Sequence, residues 1–362
     1  MIGDLEKKYV NAALDQGAVS GLFGEFLPLF ESEFAAYCGC PHGVSTTSGT
    51  AALHLALIAL SIGRDDEVLV STLTNMATFF AVRYQGARPV PIDIEEETWN
   101  LDPALLEARI TPRTKAIIVV HLFGHPVDMD PVLDVAARHG LWVIEDCAEA
   151  HGATYKGRPV GGLGDVGCFS FYANKIITTG EGGMITTADD DVAERARSLK
   201  NLAFGEFNKF VHTAVGYNYR MTNVQAALGH AQFQQIDAII GRKRQVAQWY
   251  TDRLREVPTL QLPVEKPYAR NVYWMYHIGL VAGVEGRRAE VRQALAERGI
   301  ETREGFVPAN LQPVFQAEGW TRAEDCPRAN RVATSTFYLP SSPSLSEDDV
   351  DYVATAVAEV LA

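Results

Sequence analysis

Trp142-Val143-Ile144-Glu145-Asp146 is an apolar run of strand length that ends in two acids. Runs of the same kind precede it at 67–70, 88–92 and 116–120, and segments of helical composition lie between several of them, at 102–109 and 130–138. Strands alternating with helical segments predict a mostly parallel sheet with covering helices, an α/β chain. Ligands of open α/β sheets sit beyond the carboxyl ends of the strands, so Asp146 is placed to meet one. Acids also stop strands as helix caps or turn residues, and for Asp146 alone that plainer reading weighs more.

Context shifts the balance. Downstream, a second apolar run, Cys168-Phe169-Ser170-Phe171-Tyr172, delivers Asn174 and Lys175 at its end, ahead of Thr178-Thr179-Gly180-Glu181-Gly182-Gly183 and a further short run at 184–187. Lys175 reads in two ways. It can snorkel, with its ammonium in solvent, or it can be an amine whose pKa is lowered by burial and whose nitrogen forms a Schiff base with an aldehyde cofactor. Pyridoxal 5′-phosphate (PLP) needs such a lysine together with a carboxylate on its ring nitrogen, and Asp146 and Lys175 supply that pair. Its phosphate needs converging backbone N–H groups at a helix start. Ser48-Gly49-Thr50 opens a stretch in which Leu53, Leu57 and Leu60 recur at helical spacing, so Gly49 and Thr50 are candidates for the cradle.

The region from 222 to about 254 is rich in helix formers, and beyond it 273–281 reads as a strand, 287–298 as a helix and 347–361 as a terminal helix. The organisation expected is a large cofactor-binding unit over 1–240 and a small α+β unit over 241–362. Gly161-Gly162-Leu163-Gly164 precedes a strand rather than following one, so it reads as a turn and not as a dinucleotide-binding loop. Arg242-Lys243-Arg244 reads as a solvated helix face, while His121, His125 and His151, near strand ends but without metal-ligand spacing, read equally as ligand-binding or as hydrogen-bonded packing residues.

A net charge of −13 disfavours nucleic acid or an anionic membrane surface as partner. The five cysteines lack zinc-site pairing and the density of a disulfide scaffold, so no metal is assigned and reduced thiols are expected. The opening MIGDLEKKYV lacks the pattern of a signal peptide, and no apolar run approaches the ~20 residues of a membrane span. A cytoplasmic protein is expected.

Four blocks in order, Ser48-Gly49-Thr50-Ala51-Ala52-Leu53-His54, Glu145-Asp146-Cys147-Ala148-Glu149-Ala150-His151-Gly152, Phe169-Ser170-Phe171-Tyr172-Ala173-Asn174-Lys175 and Gly180-Glu181-Gly182-Gly183, resemble the DegT/DnrJ/EryC1/StrS sugar aminotransferases. So does Gly216-Tyr217-Asn218-Tyr219-Arg220-Met221-Thr222-Asn223. The resemblance implies the aspartate-aminotransferase type fold (fold type I) and a homodimer with active sites shared between subunits. It implies that Lys175 carries PLP, that Asp146 meets the ring nitrogen, and that Gly49, Thr50 and Ser170 hold the phosphate, with Asn218 reaching it from the partner. Glu149 would stand near the ring oxygen, and Arg220 near the site.

Within the family, 121–130 and 174–183 are most similar to perosamine synthases, which aminate C4 of GDP-4-keto-6-deoxymannose with glutamate as donor. The alternatives are amination of another nucleotide-linked keto-sugar, at C3 or on a UDP or dTDP carrier, and a PLP-dependent sugar dehydratase, a branch that carries His where Lys175 stands here. Two departures bear on specificity: Asn75 replaces a common aromatic residue, and the 301–310 segment lacks the family's usual Arg-Pro and His.

Overall fold

The computed structural model describes residues 2–205, 207–208 and 210–362. Seven strands form the main sheet: β1 (His42–Thr46), β2 (Glu67–Ser71), β3 (Arg88–Ile92), β4 (Thr114–Val120), β5 (Trp142–Asp146), β6 (Val166–Ser170) and β7 (Gly183–Thr187). Their order is β1-β7-β6-β5-β4-β2-β3. From β6 to β3 every pairing is parallel, while β7 runs antiparallel to both neighbours. The α/β expectation holds, and the runs read from sequence fall on these strands.

The central strands are continuous apolar runs because both faces of the sheet are covered. Successive side chains point to opposite faces, and the core divides accordingly. Leu69, Ile117, Val119 and Val143 join one apolar cluster, whereas Val68, Val70, Ala116, Ile118 and Ile144 join the other. Burying each such side chain contributes about 1.5–3 kcal/mol. The second cluster also takes in Leu53, Leu55, Ala56 and Leu57 of the helix Gly49–Ala59 and Phe79 of the helix Ala77–Tyr84. These two helices therefore lie on the face to which Ile144, and with it Asp146, points.

Two helical readings change. The 102–109 segment forms two 3-10 turns, Pro103–Leu105 and Glu107–Arg109, instead of one helix. It is short, and Pro112 disfavours helical backbone at Thr111 just beyond it. The 222–254 stretch is two helices, Asn223–Phe233 and Ile236–Leu254. The first begins at a capping box in which the Thr222 hydroxyl accepts from the Gln225 N–H.

A second sheet, antiparallel throughout, pairs Leu260–Gln261, Tyr276–Leu280, Thr336–Leu339 and Arg303–Glu304 in that order. Its apolar side packs with Tyr250 and Leu254, with Leu295 of the helix Arg288–Glu297, and with Val350 and Val357 of the terminal helix Glu347–Leu361. No helix among the described residues is long and apolar enough to cross a membrane. All five cysteines are buried and free.

Of the two acids that close β5, Glu145 is structural. Period two turns it away from Asp146, where its carboxylate accepts from Gly161 N (2.9 Å), Leu163 N (2.8 Å), Gly164 N (2.8 Å) and His121 Nε2 (3.0 Å). His121 Nδ1 accepts from Val127 N, which leaves the ring proton on Nε2 for Glu145. Burial alone pushes Glu145 up, but His121 and the Gly164 and Gly161 amides outweigh it and hold the carboxyl below its usual range. The 161–164 turn is thus bound to the strand that precedes it. Gly161 sits at φ +86° with Phe169 carbon 2.5 Å from where a Cβ would stand, so only glycine fits there. Glu145→Ala strands four buried donors, and an equilibrium urea titration at neutral pH should show a stability loss of about 3–5 kcal/mol.

Candidate active site

Separate segments of the chain bring their polar ends to one cavity of about 310 Å³ at the carboxyl end of the sheet. Gly49, Thr50, Asp146, Glu149, Ser170 and Lys175 all line it. Asp146 arrives at the end of β5 and Ser170 at the end of β6, Lys175 follows in the turn after β6, and Gly49 and Thr50 are the first residues of their helix.

Asp146 is buried, and its carboxylate accepts from Thr78 Oγ1 (2.7 Å) and from Ala148 N (3.1 Å). Burial raises its pKa; the Thr78 bond, the Ala148 amide and the Lys175 charge counter that rise. Burial likewise lowers the Lys175 amine from the ordinary lysine value, against the pull of Glu149 and Asp146. Glu149 is pushed up to about 7 by burial, with Lys175 and the Phe123 amide opposing. The Phe123 N–H donates to Glu149 Oε2 at 2.8 Å.

The helix start is an anion cradle. Ser48, the N-cap, accepts from Ala51 N at 3.1 Å, which uses one of the four N-terminal donors of the helix. The Gly49 and Thr50 amides have no carbonyl within the helix to bond to. A Cβ on Gly49 would stand 2.6 Å from Ser170 Cβ, so the close approach of the helix start to β6 depends on glycine. Ser170 Oγ accepts from Tyr172 N (3.3 Å), which leaves its own proton to donate. A carboxylate, an amine and an anion cradle facing one cavity match the ring nitrogen, the aldehyde and the phosphate of PLP.

Asn218 is not among the residues that line this cavity. It is exposed and pairs with Asn201 in a β-bridge. Arg220 donates to Asn201 Oδ1 at 2.7 Å and does not line it either. Asn75 lines the cavity, but its side chain is turned back on the chain, accepting from Ala77 N at 3.0 Å. From the 301–310 segment, Glu304, Gly305 and Phe306 form part of the wall.

The wall residues Phe123, Trp274 and Tyr338, and Thr78, which bonds Asp146, did not stand out in the sequence. Phe123 has φ +53° and stacks on Phe306, with centroids 5.7 Å apart and planes 11° from parallel. Trp274 places its ring 3.8 Å from the Lys175 ammonium. Thr78 could have been found as a hydroxyl in the first turn of a helix that follows a strand end. The Arg242-Lys243-Arg244 run is not a solvated face: Lys243 is buried, and Arg242 and Arg244 donate to the carbonyls of Pro343, Leu345 and Asn271. Buried backbone carbonyls, which need donors, drew in what composition alone would leave in water. His125 is a packing residue, its Nε2 accepting from Lys266 N at 3.1 Å.

The family described as "DegT/DnrJ/EryC1/StrS aminotransferase family" matches residues 1–358. A GDP-perosamine synthase from Caulobacter vibrioides is 44% identical over 360 residues, spanning 98% of this chain and 95% of that protein. A dTDP-3-amino-3,4,6-trideoxy-alpha-D-glucose transaminase from Streptomyces venezuelae is 40% identical over 348 residues, spanning 96% and 89%. The solved structure of S. venezuelae DesV in complex with a ketimine intermediate superposes with a TM-score of 0.93 at 39% identity, covering 98% of this chain and 94% of that one.

Because the folded Glu149 carboxyl titrates near 7 and an unfolded one near 4.5, Glu149 costs no stability in acid, and stability is lost as pH rises between those values. Glu149→Gln removes that loss. In urea titrations of the cofactor-free protein the variant should match the parent near pH 4 and exceed it by about 3 kcal/mol at pH 8.

Proposed function

The chain belongs to the DegT/DnrJ/EryC1/StrS aminotransferase family, and on that premise we propose that it moves an amino group from L-glutamate to C4 of a GDP-linked 4-keto-6-deoxy sugar, as a GDP-perosamine synthase does. It is a PLP-dependent aminotransferase of the aspartate-aminotransferase fold. The observation that carries the site assignment is the convergence of Lys175, Asp146 and the Gly49–Thr50 helix start on one cavity.

Bound there, PLP supplies an aldehyde that captures amines and a ring that withdraws electrons from the captured carbon. Lys175 holds the cofactor between turnovers. When displaced, its amine, made less basic by burial, takes the proton from the α-carbon of glutamate and later delivers one to C4 of the sugar. One base thereby serves both half-reactions, and 2-oxoglutarate leaves between them. Asp146 keeps the ring nitrogen protonated, and the Thr78 hydroxyl orients that carboxylate. Gly49, Thr50 and Ser170 hold the phosphate. Glu149, whose carboxyl is pushed up to about 7 by burial, can donate to the ring oxygen when protonated.

We assign Asn218 to the phosphate of the partner's cavity in a homodimer; its exposure and its absence from its own cavity support that reading. We take 1–240 as the cofactor-binding unit and 241–362 as the smaller one, with the helix Ile236–Leu254 running across the boundary. Buried free thiols agree with a cytoplasmic setting.

A second reading, amination at C3 of a dTDP-linked sugar, is favoured by the 40% identical transaminase from S. venezuelae. Absorbance spectra of the PLP-loaded protein separate the two. The band should disappear on adding glutamate and return with a GDP-linked 4-keto-6-deoxy sugar; its return only with a dTDP-linked 3-keto sugar selects the second reading, and indifference to glutamate overturns both. Lys175→Ala should lose turnover by a factor of 10³ or more, roughly the contribution of a nucleophile that is also the proton carrier, while keeping its circular-dichroism spectrum.

A further inference from the structure

Lys243 is a buried lysine close to the reacting one, which is itself half-buried. It sits on the helix Ile236–Leu254, is 7% exposed, and donates to Trp274 O (2.7 Å), Ser341 O (2.6 Å) and Ser341 Oγ (3.4 Å). An ammonium is costly to bury, and a helix surface offers many places to leave one in water. What Lys243 gains is a grip on Trp274. The indole is held at its other end as well, since Nε1 donates to Asn174 O at 2.8 Å, the carbonyl of the residue immediately before Lys175. Between these two anchors the ring face lies 3.8 Å from Lys175 Nζ. The backbone leading in is also constrained: Tyr273 is held at φ +49°, and its N–H donates to Asn271 Oδ1 at 2.7 Å.

We propose that Lys243 is a positioning residue for the cofactor-bearing lysine: by anchoring the Trp274 backbone it sets the indole face that holds the positively charged form of the Lys175 nitrogen toward the cavity. The inference rests on the reading of Lys175 as that lysine. An aromatic face stabilises a nearby cation, more so where water is excluded. A charge on Lys243, whose amine is lowered by burial to about 7, works in the opposite sense and favours the neutral Lys175. The two effects are therefore separable by direction.

Other groups also bear on Lys175. Asp146, Glu149, Glu181, Glu304 and Tyr338 line its cavity, His151 interacts with it electrostatically, and Glu301 and Arg303 line a neighbouring cavity of about 430 Å³ that Lys175 and Lys243 share. None of these is altered in the variants below.

The test is a pH titration of the absorbance band of the PLP-loaded enzyme, paired with the pH dependence of Lys175 acetylation by trace acetic anhydride in cofactor-free protein, read by mass spectrometry. Trp274→Leu should lower both midpoints by about one pH unit. Lys243→Met should lower them as well, and the double variant should shift no further than Trp274→Leu alone, because both changes remove the same contact. Should Lys243→Met fold poorly, Lys243→Arg keeps the charge but alters the reach: a lowered midpoint supports positioning. A midpoint that rises in Lys243→Met, stays put in Lys243→Arg or Trp274→Leu, or shifts additively in the double variant overturns the proposal. Lys175→Ala is the control, since a titrating covalent band that survives it would remove the underlying reading of Lys175 instead.

Discussion

The site depends on charge balance in a place with little water. Asp146 and Glu149 are buried acids that share a cavity with one amine. Burial drives each of the three toward its neutral form, and the unlike charges pull back: Lys175 lowers both carboxyls, and both carboxyls raise Lys175, while Asp146 pushes Glu149 further up. Three groups so coupled titrate as a set. Asp146 accepts two hydrogen bonds and is the better candidate to stay ionised, whereas Glu149 accepts one from the Phe123 amide and gives way near neutrality. Two acids with different environments thus suit different tasks, and the proposed roles, one holding a ring proton and the other lending one, follow that division.

The same reasoning explains why β5 ends in two acids. Adjacent strand residues face opposite sides of a sheet, so Glu145-Asp146 cannot be one site. Glu145, with four donors, binds the 161–164 turn back onto the sheet, and Asp146 meets the cavity. The turn leads directly into β6, whose end carries Ser170 and then Lys175. The structural acid therefore helps place the strand that carries the reacting amine, while the functional acid faces that amine from the neighbouring strand.

Much of this was legible in the sequence because it is local. Strand-length apolar runs, a helix beginning at Ser48-Gly49-Thr50, an acid at one strand end and a lysine beyond the next each need only a short window, and all of them lie where expected. What was missed depends on contacts between distant segments. Trp274 is about a hundred residues from Lys175, and Thr78 is 68 residues from Asp146; no periodicity joins either pair. Lys243 misled because a basic run on a helix resembles a solvated face until buried carbonyls of Trp274 and Ser341 are seen to need a donor. The 102–109 segment misled through composition, which favours a helix that the chain has no length to complete.

Substrate choice belongs to the same non-local class. The residues proposed to hold the cofactor come from the main sheet and the helices on it, where strand period and helix starts dictate position. The opposite wall, with Trp274, Glu304, Phe306 and Tyr338, comes from the second sheet and its flanking segments. Arg303 pairs with Tyr338 and Glu304 with Phe337 on adjacent antiparallel strands, so the pairing register decides which residues of this edge meet the cavity. Phe306 is fixed by stacking on Phe123, which in turn is fixed by the Glu149 bond to its amide. A change in this wall is therefore transmitted to Glu149 across the cavity, and the two sides are constrained together: on the proposed reading, a different sugar requires a wall that leaves the Phe123 amide where Glu149 can hold it.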